Sequence, residues 1–305
     1  MTTLGIAAIQ TAGDKDGNLI LIEKEVRAVA KRYPWVELIV LGELAVHGAN
    51  PALAEPPGGP TQASFSSLAR ETGKWLVPGS FYERRGESIY NVAPVFNPAG
   101  EIVAKHDKLF PFLPYEKNVA YGQNHTVFDI PGKGRVGLAI CYDMWFPEAM
   151  RTLAAMGAEA ILLPTMTNTI DRDVEISIAR ANAAVNQCYF IDVNVAGMQG
   201  NGRSVFFGPG GELMHECGAG REVAAFEIDF EQVRRARERG WHGLGQVLKS
   251  FRDAPALFPF HADAQMRRKE MAQLGPLAMP EVEMEKSMAG TSTESGQARK
   301  LHIIE

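Results

Sequence analysis

The chain has 305 residues, 46% hydrophobic and 22% charged, the make-up of a soluble globular protein with one large core or two modest ones. Its formal net charge is −5, with acids and bases interspersed, which argues against nucleic acid or an anionic membrane surface as partner. There is no basic-then-apolar leader and no apolar run of roughly 18 residues, so neither export nor membrane insertion is expected.

The three cysteines, Cys141, Cys188 and Cys217, are widely spaced and form no CxxC pair. Neither a disulfide framework nor a zinc knuckle is indicated, and a reducing cytoplasm is the expected compartment. The 30 glycines and 18 prolines imply many turns and argue against a helical bundle.

In chain order, Leu4 to Gln10 reads as a buried strand. Asn18 is placed to cap a helix from Leu19 to Tyr33, whose apolar residues follow helical spacing up to Pro34. Val36 to Leu41 is the next strand, with Gly42 and Glu43 at its C-terminal end. The loop EPPGGPT leads to a helix over about Gln62 to Glu71, closed by Gly73, and Trp75 to Phe81 reads as one strand.

Ile89 to Phe96 and Ile102 to Lys105 form a hairpin through Asn97-Pro98-Ala99-Gly100, good type I turn chemistry. Val127 to Ile130 and Val136 to Ile140 form a second through PGKG. Between them, KHDKLFPFLPYEKNVAYG, with its prolines and scattered aromatics, reads as an irregular loop of the functional kind.

Cys141 follows the Val136 to Ile140 strand, and Pro147 opens the next helix, which Gly157 stops. A thiol at a strand-to-helix turn is where an α/β protein can hold a nucleophile beside a substrate cleft. A free cysteine is equally at home as a small buried hydrophobe.

Ala160 to Leu163 is a strand ending in PTMTN. A helix over about Asp171 to Gln187 carries Val174, Ile178, Ala181 and Val185 on one face. Tyr189 to Val195 is a strand, Ser204 to Phe207 and Glu212 to His215 a third hairpin, Val223 to Ile228 the last core strand, and Phe230 to Arg239 a basic helix. From Arg252 the composition changes to an apolar arm, a short helix over Gln265 to Gln273 and a polar stretch at Ala289 to Gln297. The expected division is a core unit over 1–250 and a C-terminal arm and mobile tail over 251–305.

FNPAGEIV at 96–103 and FGPGGELM at 207–214 share a pattern. Either the chain consists of two similar strand–helix–strand–helix–hairpin halves, or two good hairpin turns look alike. The alternation of strands and helices with hairpins implies an α/β protein: mixed sheets stacked on each other with helices outside.

Glu43, Lys108 and Cys141 all stand where strands hand over to loops, next to apolar sequence. A charge beside apolar sequence is usually paired, because burying it alone costs several kcal/mol, very roughly. As a set they make chemical sense. A thiol needs a base, a carboxylate in an apolar pocket gains basicity, and a lysine steadies a developing oxyanion. The backbone N–H of Tyr142 is the natural second oxyanion donor.

The order Glu…Lys…Cys, in LIVLGEL, KHDKLFPF and GLAICYDMWFPE, resembles the nitrilase, or carbon–nitrogen hydrolase, superfamily. YEKNVAYG, LLPTMTN and GRSVFFGPGGEL extend the resemblance over roughly residues 4 to 230. The resemblance implies a four-layer αββα sandwich of two mixed sheets, its helices pairing across a dimer or higher homo-oligomer. It further implies Cys141 as nucleophile, Glu43 as general base, Lys108 at the oxyanion and Glu116 beside lysine and substrate, with no metal or organic cofactor.

The implied reaction is hydrolysis of a small-molecule C–N bond through a cysteine thioester. Nitrile-cleaving members typically show Cys-Trp-Glu, and Cys141-Tyr142-Asp143 here tilts the expectation toward amide or N-carbamoyl cleavage. A nitrilase, or an acyltransferase using the same thioester, is the alternative. Val185 stands where many members carry a glutamate, a departure in a region of structural or subunit contacts. Trp145, Phe146, Phe112, Tyr115 and Met166 are candidates for the pocket wall. Arg172 and Arg203 are candidates for holding a substrate carboxylate, or else are surface arginines.

Overall fold

A computed structural model describes residues 2–13, 18–113, 115–256, 258 and 271–274. Two sheets lie face to face. The seven-stranded first sheet runs in the order Glu222–Asp229, Thr3–Gln10, Leu38–Leu41, Trp75–Val77, Ser88–Phe96, Phe81–Arg85, with Ile102–Asp107 also paired to Ser88–Phe96. The six-stranded second sheet runs Leu213–Glu216, Val205–Phe207, Tyr189–Asn194, Ala160–Thr165, Gly134–Leu138, Thr126–Ile130. Alternate residues of each strand point to opposite faces. Leu4, Ile6 and Val40 of the first sheet therefore meet Leu138, Leu162 and Ile191 of the second in one inner core.

The outer faces are covered by helices. Ile22, Val26 and Val29 of helix Leu19–Arg32 and Phe65 and Leu68 of helix Pro60–Thr72 bury against Ile9, Ile39 and Leu76. Met150 and Leu153 of helix Pro147–Ala155 and Ala179 and Ala183 of helix Arg172–Asn186 bury against Ile161 and Phe190. The result is the αββα layering expected from the sequence.

The echoed motifs mark a duplication in the topology. In each sheet three strands run parallel and the chain then closes with an antiparallel pair. The two closing hairpins even share an irregularity: register shifts at Val95/Phe96 in one and at Phe206/Phe207 in the other.

Three expectations need correction. Asn18 precedes the first helix but makes no side-chain cap bond; its amide donates to the Ala45 carbonyl at 3.1 Å. Trp75 to Phe81 is not one strand: it breaks at Pro78 and Gly79, and Phe81–Arg85 turns back as a hairpin partner of Ser88–Phe96. The apolar face expected for helix Arg172–Asn186 mostly points away from the sheet, with only Ile178 packing partly against the core. Val174 is 47% and Val185 42% exposed, while Ala179 and Ala183 pack inward. Small residues let this helix sit close to the sheet, and the inward Asn182 finds a partner in the Met144 carbonyl at 3.0 Å.

The short helix Val247–Asp253 follows the basic helix Phe230–Arg239 and has no strong periodic signal. Of the proposed helix over Gln265 to Gln273 only 271–273 are described, in a 3₁₀ turn Ala272–Leu274, and Ala289 to Gln297 lies outside the described residues. Among the described residues no helix is long and apolar enough to cross a membrane.

Candidate active site

Glu43, Lys108 and Cys141 converge at the C-terminal ends of strands from both sheets. Strand Leu38–Leu41 delivers Glu43 through Gly42, where a Cβ would lie 2.7 Å from the Val195 side chain. Only a glycine lets this turn approach the second sheet so closely. The Glu43 N–H then donates across to the Thr165 carbonyl at 3.2 Å, locking the carboxylate at the junction of the two sheets.

Lys108 leaves strand Ile102–Asp107 with its N–H on the Asn91 carbonyl at 2.9 Å. Its ammonium lies 2.8 Å from Glu43 and 2.7 Å from Glu116. Asn91 donates to the same two carboxylates, at 2.8 and 2.9 Å, and the Phe112 N–H donates to Glu116 at 2.6 Å. All four side chains are buried. Burial drives the Lys108 pKa down, but the two carboxylates outweigh it and hold the ammonium well above its ordinary value. Burial pushes Glu116 up, yet Lys108 and the donors from Phe112 and Asn91 bring it below the usual carboxylate range. Glu43 ends above that range: burial raises it, Lys108 opposes, and the nearby Glu116 adds to the rise.

Cys141 opens a 3₁₀ turn, Cys141–Trp145, with φ of +45°, a conformation costly for a non-glycine residue. Asp143 holds this elbow in place. Its carboxylate accepts from the Ile140 N–H at 3.0 Å, the Phe110 N–H at 2.9 Å and His106 Nε2 at 3.0 Å. One buried carboxylate thus fixes both the cysteine turn and the loop after Lys108.

The Cys141 thiol shares the cavity wall with Glu43 and lies 4.0 Å from the Thr167 hydroxyl, which donates to Glu175 at 3.0 Å. Burial and the Glu43 charge push the thiol pKa well above its ordinary value against the pull of Lys108. The thiol is thus held in its neutral form beside a carboxyl group whose basicity is also raised.

A cavity of about 420 Å³ opens over the thiol. Tyr142, Trp145, Phe112, Tyr115 and Met166 line it, as the sequence suggests. Phe146 does not; it stacks on Phe110 with ring centroids 3.5 Å apart. Neither Arg172 nor Arg203 lines it. Arg172 is buried behind the wall, 2.7 Å from Asp192 and 3.3 Å from Glu175, and Arg203 pairs with Asp173 and Glu216 at the surface. The acidic wall residues are Glu43, Glu116, Asp171 and Glu175, and Lys108 is the lone basic one among the described residues.

Sequence reasoning missed Asn91, Asp143 with His106, and the Thr167–Glu175 pair. Asn91 had a signal: a fully buried amide in the apolar strand Ser88–Phe96 demands polar partners. Asp143 sat in plain view beside Cys141, but its three donors come from positions that only the fold assembles.

The model of the carbon-nitrogen hydrolase family matches residues 3–238. A deaminated glutathione amidase of Mus musculus is 32% identical over 213 residues, 62% of this chain and 66% of the relative. A formamidase of Bacillus thuringiensis is 30% identical over 204 residues, 64% of this chain and 61% of the relative. The chain thus spans under two thirds of the length of these curated relatives. Among solved structures, Saccharomyces cerevisiae Nit3, a member of branch 10 of the nitrilase superfamily, superposes with a TM-score of 0.72 at 27% identity, over 78% of this chain and 94% of that one. A mutant of the amidase from Nesterenkonia sp. AN1, carrying acrylamide added to its active-site cysteine, gives a TM-score of 0.68 at 27% identity, over 77% of this chain and 98% of that one.

Proposed function

The chain belongs to the carbon–nitrogen hydrolase family, and from that premise we propose that it hydrolyses a small-molecule amide through a thioester on Cys141. The observation that carries this reading is the convergence of Cys141, Glu43 and Lys108 on one cavity, with the Glu43 carboxyl anchored on Lys108 at 2.8 Å.

Cys141 attacks the amide carbonyl carbon as its proton passes to Glu43. Negative charge collects on the carbonyl oxygen, where the Lys108 ammonium and the Tyr142 N–H stabilise it. The C–N bond then breaks, Glu43 returns the proton to the leaving nitrogen, and ammonia or an amine departs. Glu43 next takes a proton from water, whose oxygen attacks the thioester carbonyl. The acid leaves, and the sulfur recovers the proton. Glu116 and Asn91 act through Lys108 and Glu43, holding both in reach of the thiol.

The charge of the cavity wall favours an uncharged or cationic acyl group. Lys108 is already shared by two carboxylates, and among the described residues no second cation on the wall awaits a substrate carboxylate. A small neutral amide suits this wall better than an N-carbamoyl amino acid, which would bring an unpaired carboxylate beside Asp171 and Glu175. Tyr142 and Trp145 supply the apolar contacts.

The outward stripe of Val174 and Val185, continued by Ile170 at 93% exposure, supports pairing of helices between copies in a homodimer or higher homo-oligomer. Three free cysteines support a cytoplasmic setting, and we take 1–250 as the hydrolase unit, with 251–305 as its arm and tail.

Ammonia release from butyramide, N-carbamoyl-alanine and butyronitrile tests the reading. Butyramide should be turned over, with the carbamoyl acid at least ~10-fold less efficient, the scale expected for one unpaired charge in a buried site. Release from the nitrile and not from the amide would overturn it.

A further inference from the structure

Away from the catalytic cavity, the edge strand Leu213–Glu216 and the start of strand Glu222–Asp229 bring three side chains of metal-ligand type together. His215, Cys217 and Glu222 each offer one donor atom, and these atoms lie within 4.8 Å of one another. His215 Nε2 is 2.7 Å from Glu222 Oε1. None of the three lines the catalytic cavity.

The surroundings hold the donors in place. The Cys217 N–H donates to the Ser204 carbonyl at 2.8 Å, and the second Glu222 oxygen accepts from the Gly218 N–H at 2.8 Å. The His215 ring stacks on the buried Phe206, centroids 6.1 Å apart. Gln10 donates to the Gly218 carbonyl at 2.7 Å, tying the turn between Cys217 and Glu222 to the first strand. Outer contacts of this kind are what orient ligands in metal sites.

We propose that His215, Cys217 and Glu222 form a binding site for a divalent transition-metal ion of the zinc class. Thiolate, imidazole and carboxylate together suit a borderline-soft cation, whereas magnesium and calcium take all-oxygen sets. Neighbouring ligands of a tetrahedral zinc ion lie ~3.5 Å apart, so side-chain rotations alone bring these three onto one ion, with water in the fourth position. Before binding, burial and then the Glu222 charge push the Cys217 thiol up to about 12, so it is neutral. Binding forms the sulfur–metal bond and releases the thiol proton to solvent. The ion would clamp the edge strand of the second sheet to the last strand of the first.

The test is a Co²⁺ titration of the full chain carrying Cys141→Ala, which leaves Cys188 and Cys217 as its thiols. The site predicts one Co²⁺ per chain, a near-ultraviolet thiolate-to-cobalt charge-transfer band, and displacement of that band by Zn²⁺. Cys217→Ser should abolish the band, and His215→Ala, at a half-exposed position, should weaken Co²⁺ binding at least ~10-fold. Absence of the band at millimolar Co²⁺, or a band of unchanged affinity in His215→Ala, overturns the proposal.

Discussion

Glu43 and Lys108, 65 residues apart in the chain, meet at 2.8 Å at the floor of the cavity, both side chains buried. Because Glu116 sits on the same ammonium at 2.7 Å, two carboxylates depend on a single cation. Removing that cation leaves both buried and uncompensated. Lys108→Met should therefore cost about 3–5 kcal/mol of stability as well as activity. Without Lys108 both carboxyls rise above their unfolded pKa, and a group so raised is stabilising at low pH and destabilising as pH climbs. The loss should be larger at about pH 8 than at about pH 5 in chemical denaturation, and an equal loss at both contradicts the pairing.

With Glu43 as the proposed base, its raised pKa should set the acid side of the rate profile. Glu43 must be ionised to accept the thiol proton, so kcat/KM should rise with pH around a midpoint above 4.5, the ordinary glutamate value. A pH–rate profile on a neutral amide reads this directly. A midpoint at or below that value removes Glu43 as the base.

Asp143 touches three donors from two segments, yet it does not line the cavity. Asp143→Asn keeps the shape but turns one acceptor oxygen into a donor facing other donors. It should destabilise by about 1–3 kcal/mol and lower kcat more than it raises KM, because the elbow and the Lys108 loop lose their common anchor. A rise in KM with kcat intact would make Asp143 a substrate contact instead.

The outward apolar stripe makes its own prediction. Val174→Glu places a charge in any helix pairing through that face, and sedimentation should show a shift toward monomer with the secondary structure kept. An unchanged oligomeric state, or a wild-type monomer, removes this face as the interface.

These residues also show what the sequence made legible. Glu43 and Cys141 were readable because each follows an apolar run, and Lys108 because the apolar LFPF follows it directly; a polar side chain so placed is either paired or chemical. The echo between 96–103 and 207–214 was readable as a repeated hairpin because both turns need the same glycine geometry: Gly100 and Gly211 have φ of +79° and +80°. Helix Arg172–Asn186 was readable as a helix, but its direction was not. Periodicity finds the apolar face, whereas closeness to the sheet selected the small residues Ala179 and Ala183. Arg172 looked free for a substrate because its partner Asp192 lies on a later strand, and such long-range pairing leaves no local trace.

Intact-mass spectrometry of enzyme quenched in acid during butyramide turnover asks whether Cys141 carries the acyl group. A butyryl adduct should map to the Cys141 peptide, be discharged by hydroxylamine, and be absent together with ammonia release in Cys141→Ala. Ammonia release that persists in Cys141→Ala, or an acyl group carried on another residue, would contradict it.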